Sequence, residues 1–135
     1  MAKARDPLQG RELLLGVTGS IAAYKAADLV SALAKRGMGV TVLMTREAAA
    51  FVGPLTFSAL SGRKVVTDPL DPSGSGVEHV GLTEKAHVML VAPATAHTIA
   101  KLAAGLADDP VTTSALALPR RTPLLVAPAM NTRMW

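Results

Sequence analysis

The chain has 135 residues, half of them apolar and 18% charged, enough to pack one domain and too apolar for a disordered segment. Cysteine is absent, which excludes a disulfide framework, a CxxC redox pair and thiolate metal sites. The net charge of +4 comes from scattered basic residues, and aromatics at 3% offer no base-stacking platform, so nucleic acid is not expected as a partner.

No apolar run approaches the roughly 20 residues of a membrane span. Arg11 and Glu12 interrupt any signal-like stretch after the basic start, so a cytoplasmic protein without membrane contact is expected. Residues 1–10 read as a loose, disordered tail and residues 11–135 as the folded domain. With so few aromatics the core falls to Ala, Leu and Val, which suits an α/β sandwich.

Glu12–Val17 is an apolar run of strand length. Ser20 is suited to N-cap a helix from Ile21 to Arg36, with Ala22, Ala26, Leu29, Val30 and Leu33 at helical spacing and Gly37 closing it. Gly39–Met44 is the second strand, and a strand, crossover helix and strand in this span predict a parallel βαβ unit. Thr45 then caps a short helix through Phe51, and Pro54 begins another through Leu60. Val65-Val66 reads as a brief strand, residues 68–76 as a loop, and His79–Lys85 as a helix. Val88–Val91 is a buried strand ending in Ala92-Pro93. Helices follow from Ala96 to Ala104, stopped by Gly105, and from Asp108-Asp109-Pro110 to Leu118. Leu124–Ala127 is the last strand. This alternation predicts a doubly wound parallel sheet with helices on both faces and ligands at the carboxyl ends of the strands.

Four strand ends then share one edge: Thr18-Gly19-Ser20, Met44-Thr45-Arg46, Ala92-Pro93-Ala94-Thr95 and Ala127 to Asn131. The first has the small residues of an anion-binding turn, and equally those of a plain strand-to-helix connection. At the second, a dinucleotide site expects an acidic residue to hold the ribose. Thr45 and Arg46 stand there instead, which favours a mononucleotide phosphate; Thr45 also reads as the N-cap of the next helix. Of the three histidines, His87 reads as structural or half-exposed. His97 is open between ligand contact and simple exposure. His79 opens a helix and is a general acid/base candidate by its chemistry. No metal-ligand spacing links them, so no metal is expected. Asp108-Asp109 read as helix-capping carboxylates.

The segments Gly16-Val-Thr-Gly-Ser-Ile-Ala-Ala-Tyr-Lys25, His79 ahead of a strand, Ala92-Pro-Ala-Thr-Ala-His-Thr-Ile-Ala-Lys101, Gly105-Leu-Ala-Asp-Asp109 and Pro128-Ala-Met-Asn-Thr-Arg-Met-Trp135 occur in that order. Together they resemble the flavin-containing cysteine decarboxylases, a family that includes the phosphopantothenoylcysteine decarboxylases of coenzyme A synthesis, plant halotolerance proteins and lantibiotic-peptide decarboxylases. The Pro-Ala-Met-Asn-x-x-Met-Trp run is the most specific of these motifs. The resemblance implies a flavodoxin-like Rossmann sandwich and FMN as cofactor. It places Gly19, Ser20, Ile21, Thr45, Phe51, Thr95, Ala96, Thr98 and Met130 at the flavin, His79 as the active-site histidine and Asn131 at the substrate carboxylate.

The reaction it implies is FMN-dependent decarboxylation of 4′-phosphopantothenoylcysteine to 4′-phosphopantetheine. The thiol is oxidised to a thioaldehyde, which delocalises the carbanion left by CO₂. A flavin-binding protein without a full catalytic cycle, or a decarboxylase of peptide C-terminal cysteines, are the alternatives. The resemblance also implies a homo-oligomer, a trimer or a dodecamer of trimers. Members of the family run roughly 50 or more residues past the Met-Trp pair. That part holds a substrate-covering flap and, in the coenzyme A enzymes, a cysteine for the reductive half-reaction. The sequence therefore reads as lacking the C-terminal part, with full turnover depending on a longer form or a partner. His87 and His97 also depart from the family pattern, which has Asp and Asn or Asp there.

Overall fold

Strand β1 (Glu12–Val17) sends Leu13, Leu15 and Val17 to one face and Leu14 and Gly16 to the other, the period-2 pattern of a strand covered on both sides. In the computed structural model residues 4–70 and 78–135 are described, apart from the side chains of Glu78 and His79. Strands β2 (Gly39–Met44) and β3 (Val88–Ala94) flank β1, and β4 (Leu124–Pro128) lies beyond β3. The order is β2-β1-β3-β4 and every pairing is parallel.

Helix α1 (Ala23–Lys35), the short α2 (Ala48–Phe51) and α3 (Pro54–Ser61) cover one face, burying Ala26, Val30, Ala48 and Phe57 against Leu15, Val40 and Val42. Helices α4 (Glu78–Lys85), α5 (Ala96–Ala104) and α6 (Pro110–Leu116) cover the other, with Val111 against Leu14, Leu43, Met89 and Val91. This is the expected doubly wound, flavodoxin-like sandwich. Strand β4 is the exception: all five of its residues are exposed, Leu125 to 54%.

Beyond shifts of a few residues at element ends, three departures from expectation stand out. Helix α1 starts at Ala23, because Ser20 accepts from Ala22 N–H at 3.2 Å in a turn just ahead of the helix and leaves the cap position to Ala22. The brief strand at Val65-Val66 is a single parallel bridge from Val66 to Leu43. Residues 6–10, expected in a loose tail, are instead tied down. Asp6 pairs with Arg36 through two hydrogen bonds at 2.9 and 3.0 Å, Leu8 packs on the core, and Gly10 N–H donates to Gly37 at 2.9 Å. Most of the expected loop over 68–76 lies outside the described residues.

Gly16 shows how tightly the second face is packed. A Cβ there would stand 2.7 Å from Val111 Cγ1. Gly16→Ala is expected to cost about 1–3 kcal/mol by overpacking, and adding Val111→Ala should recover part of that loss. Denaturant midpoints of the two variants check it; an unchanged midpoint for the single variant would show that α6 shifts freely.

The amino edge of the sheet carries an ion pair far from the strand carboxyl ends. Arg63 reaches both oxygens of Glu12, at 2.6 and 3.0 Å, and Thr41 at 3.1 Å. Gly39 leaves room for it, since a Cβ there would collide with the paired carboxylate and guanidinium. His87 is structural, as expected: its Nδ1 accepts from Glu12 N–H at 2.9 Å. The hydrogen bond from Arg63 holds the Glu12 carboxyl below its usual range, against the opposing effect of partial burial. A depressed folded pKa means stability that is present above the unfolded value, near 4.3, and lost as pH falls through the folded one. Both side chains are at least a third exposed, so Glu12→Gln should cost no more than about 1 kcal/mol at pH 7. The gap between wild type and variant should close in unfolding curves taken below about pH 4.

Candidate active site

The chain leaves β1 for β2 on one side and reaches β3 on the other, so the crevice of this sheet opens between the carboxyl ends of β1 and β3. Thr18 is fully buried there and joins the two strands. Its hydroxyl donates to the Pro93 carbonyl at 2.5 Å and accepts from Thr95 N–H at 3.0 Å, while its own N–H reaches the same carbonyl at 3.3 Å. Next in the chain, Gly19 lies against the turn that follows β2. A Cβ on Gly19 would collide with the Cβ of Glu47, so only glycine lets these two turns meet. Thr45 Oγ1 accepts from Ala48 N–H at 3.2 Å and Thr95 Oγ1 from Thr98 N–H at 3.2 Å. Each hydroxyl therefore caps a helical turn at a strand end.

These residues border a cleft of about 410 Å³, within the usual range for small-molecule sites. Gly19, Thr45, Thr95, Ala96 and Thr98, all expected at the flavin, line it together. Glu47, His97, Lys101, Asp109 and Met134 line it as well. Ser20, Ile21, Phe51 and Met130, also expected at the flavin, are not on this lining; Ile21, in the turn before α1, and Phe51, at the end of α2, are exposed. Met130 and Asn131 lie between Ala129, next after β4, and the 3-10 turn Thr132–Met134; Met134 reaches the lining and Asn131 does not.

Lys101 spans the floor, donating to Asp108 at 2.7 Å and Asp109 at 3.2 Å. Those bonds hold its ammonium pKa above the usual lysine value, the one to Asp108 contributing most. Lys101 in turn holds the Asp108 carboxyl below its usual range, and the nearby His97 imidazole adds a smaller effect of the same sign. Asp109 N-caps α6 in a capping box with Thr112, its Oδ1 accepting from Thr112 N–H at 2.8 Å. Of the carboxylates expected to cap, Asp109 therefore does so, while Asp108 serves Lys101.

Asn131 caps the 3-10 turn, its Oδ1 accepting from Arg133 N–H at 3.0 Å. That bond fixes the polarity of the amide: the oxygen is engaged, and the NH₂ is left to donate outward. His79 lies in the first turn of α4. Among the described residues no helix is long and apolar enough to cross a membrane.

The fold and strand-end cleft define a flavoprotein-type sandwich, and a family model described as "Flavoprotein" matches residues 1–135. The chain belongs to that family. It is 48% identical over 126 residues to a probable phosphopantothenoylcysteine decarboxylase of Streptococcus mutans, covering 93% of this chain and 70% of that protein. It is 46% identical over 129 residues to the coenzyme A biosynthesis bifunctional protein CoaBC of Vibrio vulnificus, covering 95% of this chain and 32% of that one. The chain thus spans about a third of the bifunctional relatives it matches. Among solved structures, the FMN-dependent cysteine decarboxylase SpaF superposes with a TM-score of 0.85 at 38% identity, over 95% of this chain and 73% of that one.

Proposed function

We propose that the chain binds FMN and decarboxylates the cysteinyl carboxylate of 4′-phosphopantothenoylcysteine, yielding 4′-phosphopantetheine for coenzyme A synthesis in the cytoplasm. The observation that carries this reading is the strand-end cleft, which Gly19, Thr45, Thr95, Ala96 and Thr98 line together. Three features support the flavin. Gly19 brings a side-chain-free backbone to the cleft lining, packed closely against Glu47. The Thr45 hydroxyl, engaged as an acceptor, keeps its O–H free for a phosphate oxygen. Met134 gives the far side an apolar wall.

When bound, FMN supplies an acceptor for the two electrons of thiol oxidation and a donor that gives them back to the decarboxylated enethiol, so that the saturated thiol forms with no net redox change, chemistry that no side chain of this protein provides. The chain's own residues orient the substrate and move its protons. The NH₂ of Asn131 holds the cysteinyl carboxylate by charge-assisted hydrogen bonds and so fixes the scissile bond. His79 takes the thiol proton and returns one to carbon after CO₂ leaves. Thr18 and Gly19 keep the strand ends apart at the width the ligand needs.

The chain works as a homotrimer, singly or in a dodecameric assembly. Exposed Ile21, just ahead of α1, with Tyr24, Phe51 and Leu55 on α1, α2 and α3, offers the apolar surface a neighbouring copy covers. The purified protein is expected to show a visible flavin spectrum, to release FMN near one per chain by mass, and to evolve CO₂ from 4′-phosphopantothenoylcysteine. FMN without CO₂ would leave a flavin-binding protein with no complete cycle. A colourless protein that takes up no added FMN would overturn the reading.

A further inference from the structure

Two ionisable side chains on the cleft lining have no hydrogen-bond partner among the described residues. Lys101 is occupied by Asp108 and Asp109, Asp109 also holds Thr112, and the threonine hydroxyls hold helix N–H groups. His97, one residue into α5, and Glu47, from the turn after β2, are the two left free. They stand on opposite banks. While His97 is neutral, the lining carries the single cation Lys101 against the carboxylates Glu47 and Asp109; protonation of His97 balances it. The charged groups around His97 are Lys101 on its own helix, Asp108 and Asp109 from the loop before α6, and Glu47 across the cleft. The 3-10 turn contributes only Met134 to the lining. Asp108 and Asp109 bond to Lys101 and make no hydrogen bond to His97, so the imidazole N–H groups stay available to a ligand.

We propose that His97 sets the preference of this cleft for a phosphorylated flavin over an uncharged one, and makes that preference depend on pH. Its imidazolium supplies both the missing positive charge and an N–H donor to an anionic ligand; the neutral ring leaves a net negative lining that repels one. The proposal rests on the FMN reading above and goes beyond it, by assigning the charge preference to one side chain.

The test is flavin fluorescence quenching with the purified protein and with His97→Gln and His97→Lys. FMN and riboflavin are titrated at about pH 5.5 and about pH 8.0, the span across which imidazoles change charge. The phosphate of FMN itself titrates near pH 6, but equally for all three proteins, so the comparison between them cancels it. In the wild type the FMN-over-riboflavin ratio should exceed that of His97→Gln by about fivefold at the lower pH and converge with it at the higher, the order expected of one charge in a half-open cleft. In His97→Lys the ratio should stay high at both. Identical pH profiles for wild type and His97→Gln would overturn the proposal and leave the FMN reading standing. No flavin of either kind bound by the wild type would overturn both. Should His97→Gln lose riboflavin as well, His97→Lys decides: a pH-independent preference for FMN supports the proposal, and its absence overturns it.

Discussion

Replacing Asn131 with Asp is expected to leave FMN bound while lowering kcat/KM for the cysteinyl substrate by about 100-fold or more. The two side chains have the same shape, and a carboxylate oxygen still accepts from Arg133 N–H, so the 3-10 turn keeps its cap. What changes is the outward group. An NH₂ that donates to a carboxylate becomes an oxygen that repels it, and the loss combines a missing charge-assisted bond with a like-charge contact. Asn131→Ala would be harder to interpret, because it removes the cap and the donor together. The checks are the flavin spectrum and steady-state CO₂ release. Unchanged kcat/KM with full FMN content would remove Asn131 from the carboxylate site.

His79→Asn is expected to retain FMN and lower CO₂ release by about 100- to 10,000-fold, the usual weight of a positioned acid/base group. Asparagine keeps hydrogen-bonding capacity at the first turn of α4 but has no proton to exchange near neutral pH. Single-turnover CO₂ release, measured beside the FMN absorbance, separates the possibilities. Loss of the flavin together with activity would make His79 part of the cofactor cradle rather than a proton carrier.

Strands β1, β2 and β3 were legible because each alternates apolar side chains between two covered faces. The end of α5 and the start of α6 were legible because Gly105 and the Asp109-Pro110 pair are local stop and start signals. Ser20 shows where local chemistry misleads: the residue has capping character, but the turn from Thr18 to Ser20 uses it one step before the helix begins. The tail was misread for a different reason. Asp6 finds its partner in Arg36, and no short-range pattern announces a contact 30 residues away.

The candidate site divides in the same manner. Gly19, Thr45 and Thr95 stand at strand ends, where the doubly wound topology itself points. Glu47, Lys101 and Met134 reach the cleft only through packing between segments distant in sequence. The collision awaiting a Cβ at Gly19 is a relation between two turns that no spacing rule records. His97 was left undecided between ligand contact and exposure; in the structure it is exposed and lies on the cleft lining.

The Thr18 hydroxyl has a consequence for how a ligand is received. Because one oxygen moors both strand ends, the crevice cannot widen or narrow without breaking a buried bond to Pro93 or to Thr95. The entropy of arranging the two banks is therefore lost during folding, and an arriving ligand meets a seat already set to size. The amide of Thr95 becomes a built-in gauge of that seat: its hydrogen exchanges slowly only while the mooring holds, with or without a guest.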